Sequence, residues 1–75
     1  MKNNNIYVIS VTTVYTDDDV AIKISQEAYS SYEKAVRFCE DKDGSEKIAD
    51  NCYWQPIDNE VIRGYRYQIL ILTLV

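Results

Sequence analysis

The run from Tyr65 to Val75, Tyr-Arg-Tyr-Gln-Ile-Leu-Ile-Leu-Thr-Leu-Val, constrains the fold more than any other part of this chain. From Ile69 onward it is almost wholly apolar, so both of its faces ask for cover, and it predicts a central strand of a sheet. A second run, Ile6 to Tyr15, is equally rich in β-branched and aromatic residues. Tyr7, Ile9, Val11, Thr13 and Tyr15 fall on one face, and Ile6, Val8, Ser10, Thr12 and Val14 on the other. That pattern predicts another strand with two apolar faces.

The segments between these runs are more polar. Asp17-Asp18-Asp19 makes a turn, because aspartates fold back on the local backbone. Val20 to about Ala28 then alternates, with Val20, Ile22 and Ile24 on one side and Ala21, Lys23, Ser25 and Glu27 on the other. It reads as a half-solvated strand in an antiparallel hairpin with the first. Ser30 with Glu33 three residues on has the form of a capping box. Tyr32, Ala35, Val36 and Cys39 follow at helical spacing, and Asp43-Gly44 ends an amphipathic helix of about three turns. Ser45 to Asn51 suits either a helical turn or a loop. Cys52 to Gln55 is extended, and Pro56 rules out a ladder position with neighbours on both sides. Asp58-Asn59-Glu60 makes a turn and Arg63-Gly64 a bulge or break. The expectation is one α+β domain over residues 1–75, an amphipathic helix packed on a small antiparallel sheet in ββαββ or ββαβ order. Ile22, Ile24, Val36, Cys39, Ile69 and Ile71 are the expected core.

Seventy-five residues, 47% of them apolar, are enough for a marginal core. Added support from a homodimer or a partner protein is therefore expected. The net charge of −4 disfavours direct binding to nucleic acid or an anionic membrane. No run reaches the length of a membrane-spanning helix. With only Cys39 and Cys52 and no secretory pattern at the start, free thiols and a cytoplasmic setting are expected.

Catalytic chemistry finds little to work with. There is no histidine, no glycine-rich loop, and no acid spacing of a calcium site; two cysteines alone do not complete a zinc site. Cys39 lies on the apolar stripe with no base to activate it, so it reads as a core thiol. No cofactor and no enzymatic activity are expected. The aromatic load is high, with seven tyrosines and one tryptophan. Tyrosine suits small sheets, but Tyr and Trp also dominate binding hot spots. Tyr53, Trp54, Tyr65 and Tyr67 are the expected anchors for a protein partner, with Asp58 and Glu60 as rim charges facing a basic surface. The acids are fewer and more mixed with lysine and arginine than imitation of a nucleic acid would favour.

The stretch Ala28-Tyr29-Ser30-Ser31-Tyr32-Glu33-Lys34-Ala35 after a hairpin resembles a pattern of small bacterial and phage proteins, over roughly residues 6 to 42. In size and composition the chain is also similar to phage-encoded inhibitors of host systems, anti-CRISPR proteins among them. That resemblance implies a non-enzymatic inhibitor that occupies a host protein surface, and it carries no functional residue over. The alternative is a small accessory subunit that acts through homo-oligomerisation.

Overall fold

The computed structural model describes residues 4–57 and 59–74. The chain runs through β1 (Asn4–Tyr15), β2 (Val20–Tyr29), α1 (Tyr32–Glu40), β3 (Glu46–Ala49), β4 (Cys52–Pro56) and β5 (Ile62–Leu74). The five strands form one antiparallel sheet in the order β2-β1-β5-β4-β3. One helix on an antiparallel sheet is the expected class, with the sheet predominant. The order is ββαβββ, one strand more than the longer of the two expected orders. The extra strand is β3, in the segment expected to form a helical turn or a loop; a tight turn with Asn51 at φ 60° folds β4 back on it. Asparagine tolerates that left-handed conformation better than most residues.

The two apolar runs lie side by side at the centre. β1 pairs with β5 from Asn4 opposite Leu74 to Tyr15 opposite Ile62. The register shifts between Val14 and Tyr15, which makes Arg63 the extra residue, so Arg63-Gly64 is a bulge inside the strand and not a break. Pro56 pairs with Gly64 on one side, and β3 reaches only as far as Trp54 on the other. Its missing N–H therefore costs no ladder bond.

A larger irregularity divides β2. Val8 pairs with Ala28 but Ser10 with Ile24, so β2 carries two extra residues opposite Ile9. The Ile9 N–H, turned toward the bulge, donates instead to the Ser25 hydroxyl at 3.2 Å.

The helix starts one residue later than the capping box implies. Ser31 is the N-cap, extended at φ −128° and ψ 131°, and its side chain makes no cap bond. Ser30 still belongs to the bend that leaves β2, so the Ser30–Glu33 box does not form. Glu33 remains in the first turn, where a negative charge suits the helix dipole. At the other end the Ser45 hydroxyl donates to the Cys39 carbonyl at 2.9 Å, and Gly44 turns the chain at φ 71°.

α1 covers one face of the sheet. Ile9, Ala35, Cys39, Tyr53, Tyr67 and Ile69 are buried between the layers, with Tyr7, Val11, Tyr29, Val36, Phe38 and Tyr65 packed around them. Of the expected core, Cys39 and Ile69 are buried and Val36 is half-buried. Ile22, Ile24 and Ile71 are not: they are 68%, 49% and 48% exposed. The alternation of β2 holds from Val20 to Ile24, short of the bulge, but Ile22 and Ile24 sit on the face away from the helix. Ile71 shares the helix-side face with Ile69 but lies beyond the reach of the helix. A helix of nine residues is about 13 Å long, and a twelve-residue strand about 40 Å. β5 is central in the sheet, yet α1 covers its apolar end only near Ile69, and on one face alone.

Candidate protein-binding surface

Strand alternation sorts the remaining side chains. On the open face, away from α1, cross-strand pairing sets Val20 beside Val14 and Val14 beside Gly64. Ile22 lies beside Thr12, Thr12 beside Arg66, and Arg66 beside Trp54. Trp54 lies over Gly64: a Cβ added there would fall 2.4 Å from the indole ring. The glycine gives the ring a flat seat, and the ring covers backbone that a strand glycine would leave bare. Val20, Ile22 and Ile24 stand out from this face, with Val20 57% exposed. Thr12, in the middle, is buried by its neighbours.

Two acidic loops meet at the same end of the sheet. The Thr16 N–H donates to the Val61 carbonyl at 2.9 Å, and the Thr16 hydroxyl donates to the Glu60 carbonyl at 3.0 Å. These bonds bring Asp17, Asp18 and Asp19 beside Glu60, which is more than forty residues away along the chain. Each loop is held by its own side chains. Asp17 accepts the Asp19 N–H, and Asn59 accepts the N–H groups of Val61 and Ile62. Asp18 takes φ 71° and meets Arg63 at 3.4 Å, well exposed to solvent, where such a pair contributes little stability. The turn reading of Asp17–Asp19 therefore holds. Among the described residues no group of three or more His, Cys, Asp or Glu side chains is placed to hold a metal ion.

The four expected aromatic anchors are not brought together. Tyr53 and Tyr67 are 5% and 6% exposed, in the core beneath α1, where they pair across β4 and β5. The Tyr67 hydroxyl donates to Gln55 Oε1 at 2.7 Å, and its ring packs edge-on to Phe38. Burial pushes the Tyr53 and Tyr67 hydroxyls above their ordinary range, with the charge of Glu40 adding to the first and Tyr65 to the second. Tyr65, half-buried, lies on this same face against Tyr67. Period-two alternation alone separates these three from Trp54, which reaches the opposite face. Glu60 is exposed at the acidic tip, and Asp58 lies outside the described residues. Sequence reasoning missed Val20, Ile22 and Ile24 as surface residues. Their periodicity was visible, but nothing local says which face a distant helix will cover.

The cysteines are free thiols, Cys39 buried and Cys52 half-buried. Burial pushes the Cys39 thiol up to about 11, against a lowering by Lys42, so it stays protonated and inert. A groove of about 320 Å³ runs beside the helix, lined by Tyr32, Glu33, Val36, Arg37 and Glu40. It offers carboxylates and a guanidinium on a solvated helix flank, with no nucleophile among them. The Tyr32 hydroxyl on its margin bonds the Asn51 side chain and ties the helix start to the β3–β4 turn. No helix is long and apolar enough to cross a membrane among the described residues.

No family model, no curated protein and no solved structure matches this chain.

Proposed function

We propose that this protein is a non-enzymatic protein-binding module that lays the open face of its sheet on the surface of a partner. One observation carries the reading: Val20, Ile22 and Ile24 stand solvent-exposed in a row along β2, and at Val20 the apolar surface continues across Val14 to Trp54 seated on Gly64. Contiguous apolar surface of this kind marks interaction sites more often than bare monomer surface. The acidic tip of Asp17, Asp18, Asp19 and Glu60 borders the row, so the surface has an apolar centre with a charged rim on one side. It suits a partner with an apolar patch flanked by basic residues. A small acidic inhibitor of the phage or mobile-element kind, which covers a host protein surface in counter-defence, is the form of binder that this size and charge suit.

The test is capture from host lysate followed by affinity measurement on the recovered protein. Trp54→Ala and Ile22→Asp should each weaken binding by about 2 kcal/mol or more, roughly thirtyfold. Ile48→Asp, on the far edge strand and also exposed, should bind as the parent does. Charge reversal by Glu60→Lys should slow association and flatten its salt dependence. Circular dichroism controls for folding. Equal affinity across all four variants would move the functional surface off this face.

A further inference from the structure

We propose that a second copy of this chain docks on the free edge of β5, so that the two sheets continue into one another across a two-fold axis. This surface lies at the end of the sheet opposite the acidic tip and does not depend on the partner reading. β4 pairs with β5 only as far as Cys52 opposite Gln68. Beyond that point the side of β5 turned away from β1 has no strand beside it among the described residues. The Ile69 N–H points to that side, since it donates to the Asn51 carbonyl at 2.8 Å. Strand alternation then presents the N–H and C=O of Ile71 and Thr73 on the same side.

The other two edges carry the usual protection. β2 is broken by its bulge and carries Lys23, and β3 is four residues long with Glu46 and Lys47 in it. Residues 69–74, Ile-Leu-Ile-Leu-Thr-Leu, have no charge, no proline and no glycine. Ile71 and Leu72, on opposite faces of this segment, are 48% and 46% exposed. An apolar, uncharged edge of this kind is a template for strand pairing.

The geometry of this edge fits an identical partner. In an antiparallel pairing, Ile71 opposite the second copy's Thr73, and Thr73 opposite the second copy's Ile71, satisfy all the outward groups in four hydrogen bonds. The same register sets Leu72 opposite the second copy's Leu72 on the open face, in a pair without hydrogen bonds where side chains approach closely.

Light scattering and sedimentation at micromolar to submillimolar concentration should give twice the chain mass. Ile71→Pro removes an outward N–H that makes no bond to β1, and Leu72→Lys sets like charges opposite each other. Both should give folded monomers. In a Cys52→Ser background, Leu72→Cys should form an inter-chain disulfide under mild oxidation. Leu70→Cys, held about four residues out of register with its own copy, should not. A parent that stays monomeric, a dimer that survives both edge variants, or cross-linking at residue 70 in preference to residue 72 would each overturn the proposal.

Discussion

Cys39 and Gly64 are the residues whose surroundings specify them most tightly. Cys39 is fully enclosed, and its thiol is raised from 9.0 to about 11 by burial. The folded state therefore holds this proton more tightly than the unfolded chain. Stability from this group is complete below about pH 9 and is lost as pH rises toward 11, by about 2–3 kcal/mol in all. Denaturant titrations across that window should show the loss, and Cys39→Ala should flatten this part of the profile even though it lowers stability at neutral pH. Tyr53 and Tyr67, also raised, act with the same sign at higher pH. At Gly64 the constraint is space. A methyl group there would meet the Trp54 ring at 2.4 Å and the Gln55 carbonyl at 2.7 Å. Gly64→Ala should cost about 1–3 kcal/mol in thermal or chemical unfolding. It should also lift the indole off its seat, which Trp fluorescence reads directly. An irregularity at this glycine, a bulge or a break, was legible in the sequence. The tryptophan seated on it was not, because that contact depends on how β4 pairs with β5.

At the scale of elements, local pattern was a good guide to strands and a poor one to what holds their ends. The two apolar runs, the alternation of Val20, Ile22 and Ile24, and the stripe of Ala35, Val36 and Cys39 all appear in the elements they imply. The Ser30–Glu33 capping box does not form, because the chain is still leaving β2 at Ser30 and the helix begins a step later. β3 escaped notice because its four residues are all exposed and carry no apolar alternation. The bulge in β2 was also invisible, since Ser25 reads as an ordinary outward residue of a half-solvated strand. In the fold its hydroxyl accepts the Ile9 N–H, in the middle of the core strand. Ser25→Ala should leave that donor without its partner and cost about 1–3 kcal/mol. Native-state hydrogen exchange should show the loss as faster exchange at Ile9.

At the scale of the whole molecule, the candidate site was less legible than the fold. Tyr53 and Tyr67 are large, aromatic and close in sequence to Trp54, which made them anchors by composition; one step along a strand decides between core and surface. The acidic tip joins Asp17–Asp19 to Glu60 through Thr16, a contact between turns that no local pattern announces. The sheet, moreover, is assembled from two stretches that are each continuous in the chain: β1, β2 and α1, then β3, β4 and β5. Within each stretch, neighbouring strands are joined by short turns. The long β1–β5 seam alone binds the two halves of the sheet, and it joins residues as far apart as Asn4 and Leu74. Such distant pairing makes chain closure slow, so folding belongs on the millisecond-to-second scale typical of sheet proteins. The hairpins within each half are local contacts, whereas pairing β1 with β5 closes nearly the whole chain, so variants that weaken this seam should slow folding more than variants in the β3–β4 turn, which stopped-flow refolding reads.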